Sequence, residues 1–357
     1  MAIPLFASSL AAYQDRIAER LREVAASGRY ILGPEVSAFE EEFAAWLGVG
    51  HCIGVGNGTD ALQIALRAAG VGPGDDVVMP SLTFYATAEA AANLGARPVF
   101  CDVDPDTFCV TAATVERALT PATRAILPVH LFGNVAPIAD LRQFGHPVIE
   151  DAAQAAGSTL DGVSAGALGD AATFSFFPSK NLPAVGDGGV LATNDDELAA
   201  VARRLRFHGS IDKTTHTEIG WNSRLDAIQA GVLRALLPEL DGWSAARRAA
   251  ARAYEDAGLG ELVRLPQPGT GADPAWHLYV VKHDRADELI AGLTAAGIGA
   301  RAYYRVPVHR QPAMSQFGDV VLPGTDEAAR TNLAIPMGTG LQADQVDQVV
   351  HTLRQLC

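Results

Sequence analysis

Apolar residues recur at spacings of three and four through residues 12–26, where Ile17, Leu21 and Val24 share a face, and again through 36–47; both stretches read as helices. From His51 the period changes. Cys52-Ile53-Gly54-Val55 reads as a short strand, Gly56-Asn57-Gly58 as a turn, and 61–69 as an apolar-faced helix ended by Gly70. The strand, turn, helix unit returns at 76–79 before a helix over 87–94. It returns again at 98–101, 125–129 and 147–149, the last leading into the Ala-rich stretch 151–156. Strands separated by helices imply a mostly parallel sheet covered on both faces, with ligands gathering at the carboxyl ends of its strands.

The second half is mixed. A strand at 189–192 and a helix over 197–207 precede a polar loop, 208–223; a helix starting near Asp226 runs past Leu240, and another covers 245–257. After the turn-rich 266–271 come a strand at 276–282, a helix over 287–296 and a strand at 298–304. At 357 residues the chain exceeds what one core serves, so the expected division is a large α/β domain over 1–240 and a smaller α+β domain over 241–357.

Composition narrows the function. Hydrophobic residues make up 48% of the chain and charged ones 19%, as in a folded globular protein. A net charge of −14 speaks against a nucleic-acid partner, which needs clustered Lys and Arg, but leaves room for a small anion held by backbone N–H groups. The N-terminus shows neither a signal-like apolar run nor a membrane anchor, and the four cysteines show no CxxC spacing, so a reducing, cytoplasmic setting is expected. The nine histidines lack metal-ligand spacing, and no metal is expected.

Candidate chemistry lies around Lys180, between the apolar Phe174-Ser175-Phe176-Phe177 and the glycines 186, 188 and 189. A lysine becomes a nucleophile near neutral pH when burial depresses its pKa, and it can then form an imine with an aldehyde. Asp151 follows an apolar strand, where a buried carboxylate needs a cationic partner such as a protonated pyridine nitrogen; the alternative is a helix N-cap. Gln154, one helical turn on, can donate to a phenolic oxygen. The glycine turn with Gly58, Thr59 and Asp60 opens a helix whose free amides can bind phosphate, to which the Ser175 hydroxyl can add. Phe84 can stack on a planar ring or fill the core.

The ordered segments GNGTDAL (56–62), PSLTF (80–84), EDAAQ (150–154), FSFFPSKNLPAVGDGG (174–189) and GWNSRLDAIQA (220–230) resemble the DegT/DnrJ/EryC1/StrS family of pyridoxal-phosphate-dependent sugar aminotransferases over nearly the whole chain. The resemblance implies fold type I, with a mostly parallel sheet of seven-stranded type, and a homodimer that shares its active sites. It assigns Lys180 to the cofactor aldehyde and Asp151 to the pyridine nitrogen, with Gln154 near the phenolic oxygen. Thr59, the Asp60 amide and Ser175 fall to the phosphate and Phe84 to the ring face, while Asn222 reaches the phosphate from the neighbouring subunit. The cofactor would alternate between pyridoxal and pyridoxamine phosphate.

L-glutamate is the implied donor and a nucleotide-linked keto sugar the implied acceptor. Asp187, in the glycine tail after Lys180, resembles members acting at C3, often on dTDP-3-keto-6-deoxyhexoses, whereas many acting at C4 carry Glu there. Tyr303 stands where the family often has His, and Tyr304 and His309 are the remaining substrate-contact candidates. Two further readings stand beside this one: amination at C4, and a non-catalytic regulatory protein that binds the cofactor. Lysine at 180 argues against the related dehydratases, which carry histidine.

Overall fold

A computed structural model describes residues 2–357. Seven strands form the central sheet: β1 (His51–Val55), β2 (Asp76–Pro80), β3 (Arg97–Cys101), β4 (Thr123–Ile126), β5 (Ile149–Asp151), β6 (Ala171–Ser175) and β7 (Gly189–Thr193). Their spatial order is β1-β7-β6-β5-β4-β2-β3, the link between β5 and β4 being made by bridges Ile126 to Val148 and Val129 to Asp151. Only β7 runs antiparallel to its neighbours. The carboxyl ends of β1, β2, β5 and β6 therefore emerge at one edge. The fold is α/β, as the alternating pattern predicts.

Most predicted helices form within a residue or three of their expected bounds: α1 (Gln14–Ser27), α2 (Pro34–Leu47), α3 (Gly58–Ala68), α4 (Ala86–Asn93) and α5 (Asp196–Leu205); α6 (Ala227–Leu236) starts where expected but stops short of Leu240. Pro238 separates α6 from α7 (Leu240–Asp256), because a helix-interior proline lacks the N–H and clashes with the preceding turn. The Ala-rich 151–156 is not helical. Asp151 stays in the sheet, and the chain turns through 153–157 to Gly157 at φ +90°. The strand expected over 298–304 reduces to isolated bridges at Ile298 and Arg301.

In the C-terminal part, β8 (Tyr279–Lys282) pairs antiparallel with β9 (Asn332–Ile335), packed against α8 (Ala286–Ala295) and α9 (Ala343–Leu356). Helix α7 joins two cores: Leu240 and Trp243 pack with β6 and β7, whereas Ala250, Ala251 and Tyr254 pack with β8 and β9. The start of the chain is stitched to this region. Ile3 exchanges backbone hydrogen bonds with Gly297 and Gly299, and Ala7 bonds Met337; residues 6–8 line a cavity shared with Lys180. No helix among the described residues is long and apolar enough to cross a membrane.

Candidate active site

Asp151 closes β5 and is 5% exposed. Its Oδ2 accepts from the Thr87 hydroxyl on α4 at 2.9 Å, and its Oδ1 from the Ala153 amide at 3.2 Å. Thr83 Oγ1 lies 2.9 Å from Thr87 Oγ1 and extends the chain of hydroxyls. Burial raises the Asp151 pKa, while Thr87, the Ala153 N–H, Lys180 and His130 act in the opposite direction. Asp151 makes an N-cap-like bond, but no helix follows for it to cap.

Lys180 ends a turn after β6 in which its amide donates to the Phe177 carbonyl at 2.8 Å. Its side chain is partly buried. Desolvation lowers the amine's pKa to about 8, against the upward pull of Asp151. The flanking phenylalanines divide: Phe174 and Phe176 enter the core edge-on to Phe43, with ring centroids 5.2 Å and 5.5 Å away, whereas Phe177 is exposed.

The turn after β1 delivers α3. Asn57 caps the helix, its side chain accepting from the Asp60 amide at 2.8 Å, so the first-turn amides left for an anion are those of Gly58 and Thr59. This corrects the expectation for the Asp60 amide. Asp60 acts instead through its carboxylate, which accepts from Ser223 Oγ at 2.5 Å; Ser223 in turn accepts from the Gly56 amide at 3.0 Å. A Cβ at Gly58 would lie 2.8 Å from Ser175 Cβ, and one at Gly189 would collide with the Asn57 carbonyl. Close backbone approach therefore brings Gly58, Thr59 and Ser175 to one recess.

Gln154 is 7% exposed; its Oε1 accepts from the Phe132 amide at 2.8 Å, and its Nε2 donates to the Tyr304 hydroxyl at 3.3 Å. The Tyr304 ring lies 6.1 Å from that of Phe84, which is 58% exposed, so Phe84 is not a core residue. Tyr304 thus joins the Gln154 side of the crevice. His309 does not: it is buried, with Nδ1 2.5 Å from the Ser81 hydroxyl and its ring 6.2 Å from that of Phe100, while its Nε2 has no partner. Asn222 is exposed beside Ser223 and accepts from Arg224.

Thr83, Thr87 and Ser223 were not evident from the sequence, since each reaches its partner through tertiary structure. Glu150 is a further buried carboxylate, accepting from the amides of Gly166, Leu168 and Gly169 and lying 2.7 Å from His130 Nε2. Because His130 Nδ1 accepts from the Ala136 amide, Nε2 carries the proton donated to Glu150. The pair is structural, adjacent to the site but turned into the fold. Among the described residues, no group of three or more His, Cys, Asp or Glu is placed to hold a metal ion.

The donor set fits pyridoxal phosphate. A buried carboxylate suits a protonated ring nitrogen, a lysine of depressed pKa suits the aldehyde, and a glycine-lined helix start with a hydroxyl suits the phosphate.

Residues 12–354 match the model of the DegT/DnrJ/EryC1/StrS aminotransferase family. A protein of Streptomyces venezuelae described as a dTDP-3-amino-3,4,6-trideoxy-alpha-D-glucose transaminase is 44% identical, the match covering 97% of this chain and 94% of the relative. One of Geobacillus stearothermophilus described as a pleiotropic regulatory protein is 45% identical, covering 94% and 92%. The crystal structure of DesV from S. venezuelae superposes with a TM-score of 0.95 at 42% identity, covering 99% of this chain and 98% of that one.

Proposed function

Because the chain belongs to the DegT/DnrJ/EryC1/StrS aminotransferase family, and is a pyridoxal-phosphate-dependent nucleotide-sugar aminotransferase, we propose that it moves the amino group of L-glutamate to C3 of a dTDP-linked 3-keto-6-deoxyhexose. The observation that carries the chemistry is the convergence of Lys180, Asp151 and the Gly58–Ser175 recess on one edge of the sheet. The C3 assignment is supported by Asp187 and by the relative named for a 3-amino sugar.

When bound, pyridoxal phosphate supplies the electron sink for the carbon that loses its proton. The residues do the rest. Asp151, held by Thr87 and the Ala153 amide, keeps a ring nitrogen protonated through a charge-assisted hydrogen bond. The Gly58 and Thr59 amides and Ser175 hold the phosphate at the positive end of α3. Gln154, anchored by Phe132, presents its amide to the ring's phenolic oxygen, and exposed Phe84 covers a ring face. Lys180 Nζ serves as nucleophile and as proton carrier, taking a proton from the donor carbon and returning one to the acceptor carbon in the second half of the cycle.

A second copy of the chain completes the site through Asn222, whose loop also carries Ile219, 92% exposed in the single chain. Incubation with L-glutamate and separate dTDP-3-keto and dTDP-4-keto sugars, followed by NMR of the product, tests the assignment. A C3 amine is expected; exclusive C4 amination, or no product from either sugar, overturns it.

A further inference from the structure

Among the described residues, three Arg or Lys are more than nine-tenths buried: Arg206, Arg247 and Lys282. Arg206 is paired with Glu40 and Lys282 with Asp106. Arg247, on α7, has no carboxylate partner among the described residues. Its Nη1 donates to the Trp276 carbonyl at 3.2 Å, and its Nε has no partner. A buried guanidinium without a counter-charge is costly, and burial alone lowers its pKa to about 10.

Arg247 lines a cavity of about 40 Å³ whose other walls include Lys180, Asn181, Ser8 and Thr339. On this measure a single water occupies roughly 10–15 Å³, so there is space for a carboxylate-sized group. Asn181 donates both amide hydrogens to the Ala156 and Ala275 carbonyls, which leaves its buried Oδ1 as an acceptor without a donor. An unpaired cation and an unpaired acceptor thus share a small cavity with the reactive lysine. An α-amino acid presents the complement, a carboxylate and an amine on one carbon.

We propose that Arg247 receives the α-carboxylate of the amino donor, with Asn181 Oδ1 facing the donor's nitrogen as it approaches Lys180. The proposal rests on the aminotransferase reading and adds to it a site that selects α-amino acids over simple amines. A bidentate carboxylate contact would neutralise the guanidinium and place the donor carbon against Lys180.

The test compares L-glutamate with 4-aminobutyrate, which is glutamate without its α-carboxylate, as donors for the holoenzyme. Arg247→Gln should lower kcat/KM for L-glutamate at least fiftyfold and for 4-aminobutyrate less than threefold, with Arg247→Lys intermediate for glutamate. Equal losses on both donors, or no loss, overturn the proposal. Should neither variant fold, wild-type inhibition decides: acetate should compete with L-glutamate where acetamide does not, and failure of acetate to compete also overturns it. If the wild-type enzyme takes its nitrogen from another L-amino acid, the glutamate assignment fails separately, and the same comparison is made with that acid and its decarboxylated amine.

Discussion

Replacing Thr87 with Val removes the hydroxyl that donates to Asp151 while keeping the side chain's shape in a site with no solvent exposure. A hydrogen bond to a charged group contributes about 1.5–3 kcal/mol, and one pKa unit corresponds to about 1.4 kcal/mol, so the Asp151 pKa should rise further by roughly one to two units. Burial already holds that pKa above the ordinary aspartate value. The folded apoenzyme therefore binds more protons than the unfolded chain, and this carboxyl's contribution to stability falls as pH rises from the unfolded pKa through the folded one. The substitution extends that fall to higher pH. Urea unfolding of the apoenzyme should show a loss of about 1.5–3 kcal/mol at pH 7–8, shrinking toward about 0.5–1.5 kcal/mol at acid pH, where the bond is between neutral groups. Cofactor affinity should drop tenfold or more. A loss that does not change with pH, or one that persists undiminished in an Asp151→Asn background, would refute the coupling.

Three further outcomes concern Lys180 and Glu150. Imine formation between pyridoxal phosphate and the apoenzyme, followed by absorbance, should accelerate with pH to a midpoint near 8, since the neutral amine of Lys180 is the nucleophile; the imine band should be absent in Lys180→Ala. A midpoint at the ordinary lysine value would show that burial does not tune the amine. Its depressed pKa also makes the folded state bind fewer protons than the unfolded one above pH 8, so this group's contribution to stability rises between about pH 8 and the ordinary lysine value. Glu150→Gln should destabilise the protein by about 1–3 kcal/mol, because an amide NH₂ would face one or more of the three backbone N–H groups and His130; an unchanged denaturation midpoint would contradict this.

The sheet was largely legible because buried strands and amphipathic helices leave different periods in the chain. Where the pattern misled, tertiary geometry prevailed. The Ala-rich 151–156 has helix-forming residues, yet Asp151 is held in the sheet by bonds to Pro128 and His130, and the following residues turn. The antiparallel direction of β7 leaves no mark on its apolar run. Trp276, at φ +42°, keeps the expected strand from starting before Tyr279. In the site, Lys180, Asp151, Gln154 and Ser175 were visible because motif residues cluster around them. Thr87 lies 64 residues from Asp151, and nothing in local spacing announces the contact. The Asp60 amide was misread because Asn57 was taken as part of the turn and not as the cap that occupies that donor.

The stitching of the first residues to the C-terminal region sets a constraint on how the enzyme comes off the ribosome. Ile3 must wait for Gly297 and Gly299, and Ala7 for Met337, before their backbone groups find partners. Ser8, beside Lys180, and Ser9, whose hydroxyl lies 2.7 Å from Thr339 Oγ1, are set in place by the same late closure. Such contacts, among the most distant the chain can make, are slow to form. The central sheet can assemble during synthesis, but this wall of the lysine cavity closes only after residues 297–339 have been made.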